Sequence, residues 1–435
     1  MAPQSPSRPR RSRLRRAALA TATALIAVSG LAARPAAADT TLPTLAYAGE
    51  VTVAEELSYN PTGEFIFPSI LHASEYFVAP LAEWYLYYAP HENPGGISLM
   101  YADSLDGPWT EYAANPLIAN VWSPYYSVNH VSSPDAIWNQ EAGELFLYYH
   151  GGNDQTRYAT STDGITFSYG GTAVDNAMGG TTTTETSYAR VFRHPDPASA
   201  YHYGMFYMEN TTANSRRIRV AESVDGRTWT VRPTPIVTPG SLDAGNVSAA
   251  NLWEFDGQLY IVYHASSKKI FARTIDPTLT TVGAPVVLYQ ASGVGDDVGR
   301  VASPELVTDN GTLYQFYEAG DRLNATVAYA KATLAPPAYA LDVDAVATTG
   351  CTSAGLATIT VAATNGSTAP TDVRLTTAIG ERKVTGLAAG ATFAPTLTST
   401  GASLAAGTVT VKAFARVDGV AYEDTWSVPY GGISC

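Results

Sequence analysis

One turn-centred motif recurs along this chain and constrains its fold more than any other feature. Tyr101-Ala-Asp-Ser-Leu-Asp-Gly-Pro-Trp109, Tyr158-Ala-Thr-Ser-Thr-Asp-Gly-Ile-Thr-Phe167 and Val220-Ala-Glu-Ser-Val-Asp-Gly-Arg-Thr-Trp229 align almost letter for letter. Each reads as a short strand, a Ser-x-Asp-Gly turn, and an aromatic residue opening the next strand. Asp-Gly supplies the positive φ that a tight hairpin needs. Weaker fourth and fifth copies stand at Phe271-Ala-Arg-Thr-Ile-Asp276 and Val327-Ala-Tyr-Ala-Lys331. An aromatic-rich strand precedes every copy, at 84–88, 145–149, 203–207, 259–263 and 313–317. Ahead of it lies another strand, clearest at Phe67-Pro-Ser-Ile70, Ser133-Pro-Asp-Ala-Ile137 and Ser303-Pro-Glu-Leu306. The copies are spaced by about 50–60 residues, with several strands per unit and no amphipathic helical stretch between them. This pattern predicts an all-β fold, a five-bladed β-propeller over residues 39–335. Leu45-Ala-Tyr-Ala-Gly-Glu-Val51 is expected to pair into the fifth blade, closing the ring and hiding its edges.

The two ends of the chain read differently. Residues 1–38 combine an arginine-rich start, an apolar run from Ala17 to Ala33 and Ala36-Ala37-Ala38, the layout of a secretory signal peptide. The expected location is therefore extracellular. Thr, Ser and Gly interrupt the apolar run, and no later segment reaches ~18 apolar residues, so a membrane anchor is disfavoured. Arg10-Arg11-Ser12-Arg13-Leu14 leaves a twin-arginine export route open. Loss of the seven arginines of this segment, which holds no acidic residue, takes the formal charge from −13 to −20. Such a chain repels nucleic acid and anionic lipid, so neither is an expected partner, whereas neutral glycans are. A monomer is expected.

After Pro336-Pro337 aromatics thin out, and residues 338–435 read as a small β-sandwich with strands near 357–362, 373–377 and 409–414. Cys351 and Cys435 are the only cysteines. An even pair in a secreted chain favours one disulfide over a metal site, with two free thiols as the alternative. The unit resembles the C-terminal accessory modules of secreted actinobacterial polysaccharide enzymes, in the stretch Leu375–Gly390 and the ending Tyr430-Gly-Gly-Ile-Ser-Cys435. Its few aromatics favour a structural spacer over a sugar-binding module.

Propeller topology locates the chemistry. Starts of inner strands and ends of second strands should crowd one mouth of the central channel. The starts offer Glu64, Asp135, Glu185, Arg190, Asn246 and Glu305, and the ends His91, His150, Glu209, His264 and Glu318. Four of the seven histidines, His91, His130, His150 and His264, fall at or beside these positions. Clustered carboxylates suit glycosidic cleavage, in which one holds a proton for the leaving oxygen while another activates water or attacks carbon. Asp135 and Glu185 are the catalytic candidates, Glu185 as the acid. Arg190, Tyr188, His150, His91, Glu209 and Glu318 are candidates for binding substrate. Asp163 and Asp225 repeat with the motif and read as turn residues. No cofactor is required, although a channel-bound Ca2+ is compatible with this composition.

The strand order and the Ser-Pro-Asp135 segment resemble glycoside hydrolase family 43 and related five-bladed furanosidases and xylosidases, over roughly residues 50–335. The resemblance implies an Asp base on blade one, an Asp pKa modulator on blade two and a Glu acid on blade three. Asp135 matches the second and Glu185 the third. At the first, this chain has Phe67-Pro68 where the family has Asp-Pro, so Glu64, three residues earlier, becomes the candidate base. The implied activity is hydrolysis of furanosyl or xylosyl-type units from plant or microbial polysaccharides. Two alternatives stay open: a non-catalytic sugar-binding propeller, suggested by Phe67, and a polysaccharide lyase using Tyr188, His150 and Arg190. A sialidase is disfavoured, because its Asp-boxes carry an extra residue and no arginine triad stands out.

Overall fold

Five four-stranded antiparallel sheets follow one another in sequence. The computed structural model describes residues 41–52, 56–334, 339–417 and 420–435; the expected signal peptide lies outside them. The inner strands are Ile66–His72, Val131–Asn139, Thr183–Arg193, Val247–Phe255 and Val301–Asp309. Each is followed by an almost wholly buried second strand such as Trp84–Ala89 or Glu144–Gly151. Stacked tyrosine and phenylalanine rings from these second strands fill the space between blades. The five-bladed ring predicted from the repeat is the observed architecture.

The repeated turn explains why blades assemble as units. Asp163 Oδ1 accepts hydrogen bonds from the backbone of Ile165 and Thr166, and Asp225 Oδ1 does the same for Arg227 and Thr228. Gly164 sits at φ +74°, and a Cβ there would meet Phe77 and Tyr87 of blade one at 2.6 and 2.9 Å. Its carbonyl accepts from the Tyr87 hydroxyl at 2.7 Å, and Gly226 accepts likewise from Tyr148 at 2.5 Å. The motif therefore shapes a hairpin and fastens it to the preceding blade. Both aspartates are turn residues, as their repetition predicts.

The ring closes where expected. Ala46–Glu50 pairs antiparallel with Thr326–Thr333, making the outer strand of blade five from the first described part of the chain. Leu45 packs into the core between blades four and five.

Beyond the propeller, the strands from Val343–Cys351 to Val420–Tyr430 form two facing sheets around a core that includes Ile359, Val361, Val373, Leu375 and Val411. Cys351 and Cys435 are disulfide-bonded, with Cα atoms 5.7 Å apart. The sandwich docks on the blade-one side of the propeller. Arg374 donates to the Phe77 carbonyl at 2.6 Å, and Lys412 Nζ lies 2.7 Å from both Glu83 and Glu423. His72 Nε2 is 2.5 Å from Glu83 and 3.4 Å from Glu423, with its ring stacked on Trp84 at 4.0 Å.

This network should make the stability of the docked structure pH-dependent. Burial opposes a charged His72, but its bonds to Glu423 and Glu83 and the nearby Glu75 raise its pKa above 6.5. Burial likewise opposes a charged Glu83, yet bonds from His72, Lys412 and Ser74 hold it at about 2. The His72 contribution is fully present below pH 6.5 and lost as pH rises through its raised folded value. The Glu83 contribution is present above 4.5 and lost as pH falls towards 2. His72→Gln should cost roughly 1.5–3 kcal/mol at pH 5.5, the range for hydrogen bonds to charged groups. By urea unfolding, the gap to the parent should shrink by pH 8.5. A gap unchanged with pH would mean that His72 is neutral throughout.

Candidate functional site

Every inner strand enters the channel through the same kink. Phe67, Ser133, Tyr188, Ala249 and Ser303 take positive φ values of 59°, 54°, 53°, 48° and 44°. Strand pairing shifts register at that point in all five blades. A bulge of this kind re-aims the residues around it, and positive φ at non-glycine residues carries strain that the closed ring must hold. The channel-facing residues consequently fall into layers. Three residues before the kink stand Glu64, His130, Glu185, Asn246 and Arg300. Two residues beyond it stand Ser69, Asp135, Arg190, Asn251 and Glu305.

The upper layer frames the mouth. A small cavity there, about 20 Å3, is lined by Glu64, Phe67, His91, Tyr188, Arg300 and Glu318, among others. Its floor is an apolar cluster of Ile66, Phe67, Tyr188, Met208, Ala249 and Ala325. Glu318 is 1% exposed; Arg300 holds its Oε2 at 2.8 Å, while its Oε1 is buried without a hydrogen-bond partner. Glu185 is also buried, with Oε1 accepting from Ser187 Oγ at 2.8 Å and Oε2 lying 3.6 Å from Arg216. Tyr188 sits within the field of all four groups. Burial pushes its hydroxyl up to about 12, Glu185 and Glu318 add to the rise, and Arg216 and Arg300 oppose it.

Around this centre stand the histidines expected at the mouth. The rings of His91 and His130 are 5.6 Å apart, those of His130 and His150 5.2 Å, and Tyr188 lies 5.9 Å from His150 and 6.5 Å from His264. Burial drives His91 down to about 4, helped by Arg322 and His130, and lowers His130, His150 and His264 as well. All four are neutral near pH 7. Asn129 Oδ1 accepts from the His130 backbone N–H and faces His130 Nδ1 at 3.0 Å, which assigns the proton to Nδ1. His130 Nε2 is then the acceptor in its 3.2 Å contact with His150 Nε2. Their rings therefore offer neutral hydrogen-bonding groups rather than charge.

Two other residues expected at the mouth serve to hold local structure. Glu64 accepts from the backbone N–H groups of His91, Glu92 and Leu323 at 3.1, 3.4 and 3.4 Å, tying three loop positions together at the cavity edge. Glu209 is fully buried between Arg217 Nε at 2.5 Å, Arg219 Nε at 3.4 Å and Thr183. It does not line the mouth cavity.

The expectation that Asp135 and Arg190 share the mouth with Glu185 is corrected, and the kink is the reason. Asp135 and Arg190 line a separate channel cavity below the floor, together with Asn251 and Glu305. Arg190 donates to the Pro134 and Pro68 carbonyls at 2.7 and 3.0 Å and contacts Asp135 Oδ1 at 3.3 Å. Asp135 Oδ2 accepts from the Val191 N–H at 2.7 Å. Burial raises the Asp135 pKa, with Arg190 opposing. This commitment leaves the channel a poor fit for Ca2+, which takes six to eight oxygen ligands. Among the described residues, the histidine and carboxylate ligand atoms of His72, Glu83 and Glu423 do converge, but the Lys412 ammonium lies between those carboxylates.

Arg300, Arg216 and Arg322 went unassigned in the sequence. Arg300 was legible: Arg300-Val-Ala-Ser-Pro304 aligns with His130-Val-Ser-Ser-Pro134, one rim residue for another.

No family model and no curated protein matches this sequence. Solved structures do match its fold. An RGII complex of BT0996 superposes with a TM-score of 0.51 at 14% identity, covering 69% of this chain and 95% of that protein. A second structure, named only as a glycoside hydrolase, gives 0.50 at 15% identity, covering 68% and 94%. The propeller is a shared fold. At such identities the likeness speaks for architecture, and the site must be argued from its own residues.

Proposed function

We propose that the chain is a secreted glycoside hydrolase that removes terminal furanosyl or xylosyl-type units from plant or microbial polysaccharides at the propeller mouth. The observation that carries this reading is the pair Glu185 and Glu318, buried carboxylates that flank Tyr188, each beside one arginine. Glu318 lines the mouth cavity and Glu185 adjoins Tyr188, another lining residue; two carboxyl groups are the minimum for protonating a leaving oxygen and activating water. Glu185 takes the acid role, with Ser187 steering its Oε1. Glu318 has one oxygen fixed by Arg300 and the other without a hydrogen-bond partner among the described residues. Phe67 and Tyr188 offer ring surface to the sugar, and the neutral histidines read its hydroxyls. The apolar floor makes the pocket blind, which suits exo attack on a chain end. One of the solved proteins with this fold is named as a glycoside hydrolase.

The lyase reading relies on Arg190 to grip a uronate, and Arg190 is committed below the floor; Arg300 and Arg322 line the mouth with Tyr188 instead, so the product formed decides between the classes. A panel of aryl furanosides, aryl xylosides, arabinan and uronate glycans separates the classes. Reducing sugar without an ultraviolet-absorbing product is expected. An unsaturated uronate would establish a lyase, and binding without turnover a lectin.

A further inference from the structure

The face opposite the mouth carries a second concavity, where the ends of inner strands meet the sandwich. A cleft of about 180 Å3 is lined by Glu75, Tyr76, Trp84, Trp138, Glu305 and Arg416, among others. Arg416 comes from the sandwich strand Gly407–Val417 and the rest from the propeller. Through Ala136, Glu305 and Leu306 the cleft adjoins the channel cavity of about 140 Å3 that holds Asp135 and Arg190. The apolar floor separates both from the mouth. We propose that this cleft is a second saccharide-binding site, built jointly by propeller and sandwich, for a neutral sugar unit of the polymer. The choice of sugar rests on the glycosidase reading; the existence of the site does not.

Three observations support it. The first is an aromatic wall: Tyr76 and Trp138 stack at 5.1 Å and 16°, with Phe77 edge-on to Trp138 at 6.0 Å. Lys383 lies over the Tyr76 ring at 5.2 Å, which leaves Trp138 as the face for a sugar. Aromatic faces pack against the C–H surface of a pyranose or furanose ring.

The second is unused hydrogen-bonding capacity. Glu305 Oε1 receives only the Ile70 N–H, at 3.4 Å, and Oε2 is buried with no partner among the described residues. Arg190 Nε is buried and unpartnered on the channel side. Buried polar atoms are nearly always satisfied in folded proteins, so each orphan marks a place for a hydroxyl or a water. Burial, more than any neighbour, raises Glu305 to about 7, with Arg190 opposing and Asp135 adding to the rise. Near neutral pH it can therefore both donate to and accept from sugar hydroxyls.

The third is charge. Glu75 and Glu305 share the lining with two basic groups, Arg416 and His72, so the cleft carries no large charge of either sign to select a uronate. Nothing in the mouth chemistry uses Trp138, Glu305 or Arg416.

Calorimetric titration of the full chain with xylotetraose and arabinotetraose tests the proposal. For one of these probes the parent should show two sites per chain. Trp138→Ala and Arg416→Glu should each weaken one site at least tenfold, with aryl-glycoside turnover within twofold of the parent. Arg416 is exposed, so its variant stays informative if Trp138→Ala fails to fold. Glu318→Gln should keep the lower site while losing turnover. A single site lost in Glu318→Gln, unchanged titrations in the folded cleft variants, or no binding of either probe would overturn the proposal. Loss of the lower site in a protein that hydrolyses none of the glycosides would retain the cleft and remove the glycosidase reading instead.

Discussion

Glu185→Gln should lower turnover of a natural glycoside, and Glu318→Gln that of natural and activated aryl glycosides alike, by at least ~10²-fold while leaving the fold and sugar binding intact. Each change keeps the side-chain volume and one hydrogen-bonding oxygen and removes only the exchangeable proton or the charge. If Glu185 is the acid, its variant should lose least on substrates whose leaving group needs no proton and most on natural glycosides. Glu318→Gln should lose on both. Asp135→Asn is expected to behave differently. Asp135 lies below the floor, and Arg190, 3% exposed, depends on it as counter-ion. Breaking a buried pair from one side costs roughly 3–5 kcal/mol because the remaining charge is stranded. Its main effect should therefore appear in the urea unfolding midpoint, with a smaller one in turnover. A Glu318→Gln variant with parental kinetics would move the second catalytic role to Glu64, the other carboxylate lining the cavity.

This contrast also marks how far the sequence could be read. The repeat exposed the blades because Ser-x-Asp-Gly turns and aromatic second strands are local signals of backbone conformation and burial. The closing strand was legible from alternation and from the need to cover an edge. The mouth was legible only in part. Counting from strand starts and ends brought Glu64, His91 and Glu318 to one cavity. It could not place Asp135, Arg190 and Glu305, because a positive φ at Phe67, Ser133, Tyr188, Ala249 and Ser303 inserts a bulge before them. Phe, Ser, Tyr and Ala are residues that local rules never assign to that conformation. The ring imposes it, and local sequence carries no trace of a constraint that arises only when five blades meet. The pairing of Arg216 with Glu185 is likewise a long-range contact that no spacing reveals.

Removal of residues 41–52 should give insoluble protein or soluble aggregates rather than a looser monomer. Among the described residues, Ala46–Glu50 is the only strand that pairs with Thr326–Thr333 on the outer side of blade five. Val51 N–H bonds the Val327 carbonyl at 2.9 Å, and Thr326 Oγ1 bonds the Thr52 carbonyl at 2.7 Å, so the pairing extends past the strand itself. Deletion would bare the backbone of Thr326–Thr333, whose sequence Thr-Val-Ala-Tyr-Ala-Lys-Ala-Thr favours β structure and carries one charge. Such an edge is a template for pairing with another chain. Leu45 would also leave the core it shares with Tyr289, Tyr317 and Ala330, opening the seam between blades four and five. In a propeller every blade is held by two neighbours, so a breach there weakens the ring as a whole rather than one sheet. Light scattering and size-exclusion chromatography of the truncated chain decide the point. A monodisperse monomer melting near the parental temperature would show that the first strand decorates the ring instead of closing it. Tyr47→Ala, which keeps the backbone ladder but loses the hydroxyl bonded to Glu50 at 2.6 Å, should by contrast stay soluble. That difference would locate the closure in the backbone pairing and not in the side chains of the strand.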